Sequence, residues 1–379
     1  MVQEDLSSCS VIFGVKEMPA SFFEPGKVYA FFSHTIKGQK YNMPMLKRLM
    51  SLGCYLIDYE KIVDKNGRRL LFFGRYAGLA GMIDSLWALS KRLEWEGISN
   101  PFSPVQQTFQ YHSLEEAKEA VAIVGERIKE KGLPLSLTPL VCGFAGYGHV
   151  SRGAQEIFDL LPYKETTPAE LTSLFKKEKS SRNYLYKVVF KEEDMVDPVS
   201  KESIFSLQDY YDHPEKYKSK FEAYLPYITL LINAIFWTSR YPRLITKKGL
   251  KNLFEREQIP HLRLIGDITC DIEGAIECTV HTTQPDNPVF TYNPLEDRAV
   301  DGYQGTGVVV LAVDNLPCEL PRSSSVDFGN TLAKLVPDIL RADFSTDFAH
   351  CELPPSIKNS VILYNGKLTP QYEYLKKYL

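Results

Sequence analysis

Lys16 and His34 each follow a short apolar run, Val11–Val15 and Lys27–Phe32, and both residue types can trade protons. Apolar runs of that length predict strands, and Asn42–Leu52, with apolar positions 43, 45, 46, 49 and 50, predicts a helix before a third run, Tyr55–Asp58. Strand, helix, strand implies a parallel sheet, where ligands bind beyond the carboxyl ends of the strands. A lysine beside other cations or partly desolvated gives up its proton more readily and can act as a base. An imidazole titrates near neutral pH and suits an acid–base relay. Glu17 and Glu60 are candidates to tune both groups by opposite charge. Lys37, Arg69 and Arg68 are candidates to hold carboxylates, the arginine fork being the more selective. Taken alone, a strand-end lysine is more often a solvated charge, and Arg68-Arg69 after Asn66-Gly67 also reads as a hairpin flank.

A second constellation follows the apolar run Leu137–Phe144. Gly143-Phe-Ala-Gly146-Tyr-Gly148-His149-Val150-Ser151-Arg152-Gly153 leads directly into a helical pattern at Ala154, Ile157, Phe158 and Leu161. Strand, glycine-rich turn and helix is the setting of a dinucleotide fingerprint, in which backbone amides and a helix N-terminus meet a pyrophosphate. Gly153 lies five residues past Gly148 rather than three, so the strict motif is not met. Glu165 stands where an acidic residue would contact the adenine ribose, while neighbouring Lys164 would suit a 2′-phosphate. Leu262–Ile268 and Gly307–Val313 predict further strands ending at Asp267 and Asp314, which would contact cofactor or substrate or cap a turn. A base, an acid and a positioned hydride donor are what the reductive coupling of an amine with a ketone requires.

The elements that position these residues fit a chain of 379 residues with two or three domains. Hydrophobic content of 44% and charged content of 24% are those of a soluble globular protein. A net charge of −3 and a pI near 6.2 give no reason to expect nucleic acid or a membrane surface as partner. Seven cysteines without metal-type spacing, and no signal peptide, point to no metal and to a reducing, cytoplasmic setting. The most apolar stretch, Tyr227–Trp237, reads as a buried helix too short to cross a bilayer. Leu70–Phe73 reads as a fourth strand, Ala77 to about Glu96 as a helix, and Ile98–Gln110 as a linker. Ser113 with Glu116 forms a capping box for a helix to about Lys131. Lys176–Lys179 reads as a solvated loop and Tyr210–Tyr217 as a surface excursion; Ser323–Leu340 predicts a helix and Ser360–Tyr364 a strand. The fold class is α/β with two Rossmann-like domains and parallel sheets: residues 1–112 with 323–379 for substrate and catalysis, and 113–322 for the dinucleotide.

Seven segments, in order, resemble the saccharopine-forming reductases. They are Gly14–Glu17, Phe31–Lys37, Asp58–Lys61, Phe73–Gly81, Gly148–Ala154, Asp267–Ile272 and Val313–Pro317. The family comprises the fungal-type, lysine-forming saccharopine dehydrogenases and the reductase half of plant and animal bifunctional lysine-degrading enzymes. The resemblance implies a fold similar to alanine dehydrogenase and transhydrogenase, with one domain built from both chain ends. It implies Lys16 as base, His34 as acid–base residue, Glu60 as modulator, and Lys37 and Arg69 as anion contacts. It places Gly146, Gly148, Ser151 and Gly153, with His149 and Val150 between them, on the pyrophosphate loop. The substrates implied are lysine, 2-oxoglutarate and saccharopine, and the cofactor NADPH in the bifunctional type or NADH in the fungal type. Family members run through two further strand–helix units before the position of Met1. The first sheet is therefore expected to lack its opening strands, an edge that a homo-oligomer or a partner chain would cover. Alternatives are a dehydrogenase of another amino acid, such as alanine or an opine, and a non-catalytic dinucleotide-binding homologue.

Overall fold

The computed structural model describes residues 5–176, 181–257 and 259–379. Strands β1 (Val11–Phe13), β2 (Val28–Phe31) and β3 (Tyr55–Asp58) come first. They are followed by β4 (Val141–Ala145), β5 (Tyr163–Glu165), β6 (Leu185–Phe190), β7 (Val196–Pro198), β8 (Tyr217–Ser219) and β9 (Leu230–Asn233). Then come β10 (Leu264–Asp267), β11 (Val289–Asn293), β12 (Arg298–Asp301), β13 (Val308–Leu311), β14 (Val361–Tyr364) and β15 (Lys367–Leu368). The chain folds into two compact units, Met1–Phe72 with Ser325–Leu379, and Phe73–Ser324.

The first unit holds a sheet of order β1-β2-β3-β14-β15. β1, β2 and β3 run parallel in register, Phe13 against Ala30 and Phe31 against Asp58, and β14 and β15 add antiparallel. Every residue of β2 is buried, as expected of a strand covered on both faces. Helix α1 (Met43–Ser51) crosses between β2 and β3, with Pro44 in its first turn and Met43, Met45, Leu46 and Leu49 on its buried face. The β1–β2 ladder continues through the Gly14 amide to the Ala30 carbonyl (2.9 Å) and the Phe32 amide to the Val15 carbonyl (3.0 Å). Lys16 and Ser33 therefore leave the sheet side by side.

The second unit is built on a sheet of order β12-β11-β13-β10-β9-β4-β6-β5, parallel from β13 to β5 with β11 and β12 antiparallel at one edge. Helix α2 (Gly74–Trp95) is buried on nearly every face, α3 (Leu114–Lys131) is capped by Ser113, and α4 (His149–Phe158) follows the glycine turn. The Glu116 carboxylate of the capping segment accepts from the His112 amide at 2.8 Å. A Cβ on Gly78 would stand 1.9 Å from the Val150 carbonyl oxygen, and one on Gly153 would stand 2.1 Å from that of Arg75. Two glycines thus let α2 and α4 cross backbone to backbone. Among the described residues no helix is long and apolar enough to cross a membrane.

Several expectations change here. The run Tyr227–Trp237 is not a helix: Leu230–Asn233 is a wholly buried strand between β4 and β10. A continuous apolar run fits a central parallel strand as well as a buried helix, and periodicity cannot separate them. Leu70–Phe73 is not a strand; Val63 bridges Arg69 around the Asn66-Gly67 turn, and the Leu70 amide returns to the Ile62 carbonyl at 2.9 Å. The units divide at Phe72 rather than at residue 112, because α2 packs along α4. Ser323–Leu340 forms two helices, Pro321–Leu332 and Val336–Arg341. Tyr210 and Tyr217 are buried in the second unit's core rather than laid on its surface. Residues 177–179 of the lysine cluster lie outside the described residues.

Candidate functional site

In the first unit the carboxyl ends of β1, β2 and β3 collect Lys16 with Glu17, Ser33 with His34, and Asp58 with Glu60. Lys16 is exposed. His34 Nδ1 lies 3.1 Å from both carboxylate oxygens of Glu17. With that nitrogen donating, Nε2 is left to exchange a proton. Burial opposes ionisation of Glu17, but its own backbone amide, the His34 hydrogen bond and the Lys16 charge outweigh it and hold the carboxyl below its ordinary value.

His34 is turned out of the strand at φ +48, a left-handed conformation that non-glycine residues seldom adopt. The Asn42 amide donates to the His34 carbonyl at 3.2 Å. The preceding Ser33 hydroxyl donates to the Asp58 carboxylate and lies 2.8 Å from the Thr35 hydroxyl. Asp58, fully buried, also accepts the Glu60 amide at 2.8 Å. Burial pushes its carboxyl up, against the pull of the Ser33 and Glu60 donors. Asp58 and Ser33 thus fix the turn that carries His34, a role the sequence reading missed. Strand-end position, the rule that singled out Asp267, applies equally to Asp58.

Glu60 forms an ion pair with Arg69, on the far limb of the Asn66-Gly67 turn. Arg69 is thus the hairpin flank that the sequence also offered, and its charge is met by Glu60. Lys37 is exposed beyond the β2 end.

In the second unit the glycine turn follows β4 as anticipated. Gly146 sits at φ +92, and a Cβ there would press on the Ala234 carbonyl at 3.1 Å. Gly148 caps α4, and a Cβ there would meet nothing within 4 Å. No protein neighbour demands that glycine, which leaves the space over the helix N-terminus for an anion. His149 is exposed, Val150 half-buried and Ser151 buried in the first turn, the Ser151 hydroxyl accepting from the Gln155 amide at 3.0 Å. Gly153 is buried against Arg75 instead, so it serves helix packing rather than a pyrophosphate.

Glu165 ends β5, and β5 lies outside β6, one strand away from β4. Lys164 rests over the Tyr184 ring, 4.3 Å from its centroid. On that side the strand next to β4 is β6, and Glu192 is the first acidic residue past its end. It accepts from the Tyr147 hydroxyl at 3.1 Å and the Tyr211 hydroxyl at 2.8 Å. Burial and this carboxylate raise both phenols above their ordinary values, so both stay protonated donors. Glu192, Gly146 and Gly148 line one cavity of about 520 Å³.

Asp267 is buried at the end of β10, its carboxylate filled by Thr279 (2.6 Å), Asn233 (2.8 Å) and Thr269 (2.8 Å). Burial raises it while these donors pull it down. It holds strand ends together rather than facing a ligand. Asn233 gives its amide to Asp267 and Thr269 (3.1 Å), and among the described residues its buried Oδ1 has no partner. That orphan acceptor, the open Gly148 cradle and the Glu192 cavity fit a dinucleotide. Asp314 is exposed beyond β13, with Cys270 Sγ 4.0 Å away.

Two models of one family match the chain: "Alanine dehydrogenase/PNT, N-terminal domain" over residues 1–80 and "Alanine dehydrogenase/PNT, C-terminal domain" over residues 192–371. Over these two stretches the chain is similar to the domains of alanine dehydrogenase and PNT. It is 41% identical over 388 residues to "Alpha-aminoadipic semialdehyde synthase" of Arabidopsis thaliana, covering 99% of this chain and 36% of that protein. It therefore spans little more than a third of that relative's length. Identity to "Saccharopine dehydrogenase [NAD(+), L-lysine-forming]" of Emericella nidulans is 23% over 341 residues, 87% of this chain and 74% of that one. Among solved structures, an L-alanine dehydrogenase superposes with a TM-score of 0.54 at 17% identity, over 98% of this chain and 81% of that one, a likeness of fold.

Proposed function

We propose that the chain condenses the side-chain amine of lysine with 2-oxoglutarate and reduces the imine to saccharopine at the expense of NAD(P)H. The observation that carries this reading is the cluster at the ends of β1 and β2: an exposed lysine, and an imidazole whose Nδ1 is held by a carboxylate. Lys16 takes the proton from the substrate ammonium, leaving the amine free to attack the ketone carbon. His34, through Nε2, protonates the carbinolamine hydroxyl so that it departs as water, and Glu17 stabilises the charged ring meanwhile. Asp58 and Ser33 hold His34 in place. Lys37 supplies positive charge for the substrate carboxylates. The second unit's glycine turn, with Ser151 behind it, would hold the dinucleotide's pyrophosphate and Glu192 its adenine ribose. When bound, the nicotinamide supplies a hydride. Glu192 favours NADH, because a carboxylate accepts hydrogen bonds from a ribose diol and repels a 2′-phosphate.

The test mixes purified protein with lysine, 2-oxoglutarate and NADH or NADPH, follows the nicotinamide absorbance, and identifies the product by mass spectrometry. Saccharopine formation supports the reading; cofactor binding without oxidation by either dinucleotide removes it. The Arg69–Glu60 pair favours a second reading, since one cation fewer is left for a tricarboxylate product. Alanine with pyruvate, and alanine with 2-oxoglutarate, run in parallel, and faster turnover with either would establish a different amino-acid or opine dehydrogenase.

A further inference from the structure

The second unit has a cavity of about 600 Å³ at the edge opposite the glycine turn, where β10 and β13 begin. Trp95, Ile98, Phe254, Ile259 and Leu262 make its wall largely apolar. Two arginines and one glutamate are set into that wall. Arg92 Nε donates to Glu96 Oε1 at 2.7 Å, and its other nitrogens donate to the carbonyls of Tyr303 (3.1 Å), Gly305 (2.7 Å) and Gly307 (3.1 Å). Four of the five Arg92 N–H donors are thus taken. Arg263 Nε donates to Glu96 Oε2 at 2.9 Å, with 10% of its side chain exposed. Among the described residues the Nη atoms of Arg263 have no partner. Two guanidinium groups against one carboxylate leave a net positive charge in an apolar wall, which is unfavourable without a counter-ion. His261 stands edge-on to Phe175, ring centroids 4.8 Å apart; burial and Arg263 lower its proton affinity, so it adds no charge at neutral pH.

We propose that this cavity is a second ligand site, for a small carboxylate with an apolar or aromatic body, the carboxylate held by the Nη fork of Arg263. The volume falls within the roughly 300–1,000 Å³ range of small-molecule sites, and an apolar wall with a few fixed polar groups is their usual make-up. A guanidinium with both Nη groups open matches a carboxylate in bidentate geometry. Because Asp267 ends β10, and Gly146 and Asn233 stand beside it at the same end of the parallel sheet, this site is separate from the dinucleotide edge.

Isothermal titration of the whole chain with 3-phenylpropionate, and with its uncharged amide, tests the proposal. Saturable one-to-one binding of the acid is expected, at least tenfold tighter than the amide. Ile259 is 69% exposed on the rim, so Ile259→Glu leaves the fold intact and should weaken the acid at least tenfold by charge repulsion. Arg263→Gln should do the same, with its thermal midpoint measured alongside. Saturating NADH should leave the acid's affinity unchanged within twofold. No saturable binding, equal affinity for acid and amide, displacement by NADH, or indifference to Ile259→Glu would each overturn the site. So would a dimer in sedimentation velocity that Ile259→Glu dissolves, since a second copy would then cover the cavity.

Discussion

At the ends of β1 and β2 the first unit offers side chains: Lys16 exposed, His34 and Glu17 each about one-third exposed and joined at 3.1 Å. At the end of β4 the second unit offers backbone, a glycine at φ +92 and another with open space where a Cβ would be. The carboxylates behind each edge are alike. Asp58 in one unit and Asp267 in the other are buried, raised by burial, and filled by hydroxyl and amide donors. In the proposed function the same strand-end position would do two jobs: proton exchange by exposed side chains in one unit, anion binding by amides in the other. In both, a buried aspartate is held by donors from the strand-end loop.

The pair Lys16→Met and Gly148→Val should separate these jobs. Lys16→Met is expected to lower turnover by roughly 10²–10⁴, the usual loss for an acid–base group, with dinucleotide affinity unchanged. Gly148→Val should weaken dinucleotide binding at least tenfold with little change in thermal midpoint, because a Cβ there has no neighbour within 4 Å. If both variants lose turnover and cofactor affinity together, the division of labour is wrong. Gly78→Ala probes the second unit's scaffold alone. A Cβ at 1.9 Å from the Val150 carbonyl forces α2 and α4 apart, so a loss of about 3 kcal/mol is expected in urea unfolding. A loss under about 1 kcal/mol would mean that the crossing relaxes freely.

Much of this was legible in the sequence where a signal is local. Three apolar runs gave β1, β2 and β3, and their ends gave Lys16 and His34. Strand, glycines and helix gave the β4–α4 turn. What the sequence hid depends on strand order. Glu165 sits at the conventional interval from the glycine turn, yet β6 lies between β5 and β4, and it is Glu192 that lines a cavity with Gly146 and Gly148. Gly153 looked like part of a phosphate loop because its partner across the helix crossing, Arg75, is far away in the chain. The Tyr227–Trp237 run carried no periodicity to mark it as a strand.

The second unit also holds a buried acid pair. Asp84 on α2 accepts the Thr108 amide at 2.7 Å and hydroxyl at 2.8 Å, and Glu319 lies buried beside it. Burial raises both carboxyls; the Asp84 charge raises Glu319 further, while the Thr108 donors and Glu319 pull Asp84 back down. A carboxyl with a raised value in the folded chain keeps its proton better there than when unfolded. Its penalty is therefore absent below about pH 4 and grows as pH rises, so stability falls with rising pH by at most about 1.4 kcal/mol per unit per proton. Glu319→Gln should flatten that slope between about pH 5 and about pH 8, and should be on the order of 1–2 kcal/mol more stable than the parent at the upper end. Parallel slopes for parent and variant would show that the pair does not set the pH dependence.

The smallest expected effect bears most directly on what the second unit recognises. Glu192 has two phenol donors already, so it keeps lone pairs for a ribose diol without gaining a cation to receive a phosphate. Removing it should therefore change the choice between dinucleotides more than it changes binding to either. Glu192→Ser is expected to shift the ratio of kcat/KM for NADH over NADPH roughly tenfold toward NADPH, about 1.4 kcal/mol, the scale of one charge-assisted hydrogen bond exchanged for a repulsion removed. Glu165→Ser should leave the ratio within twofold of the parent, since β5 stands a strand further out. If Glu165→Ser moves the ratio and Glu192→Ser does not, the ribose lies over β5, and the interval read from the sequence would outrank the order of strands in the sheet.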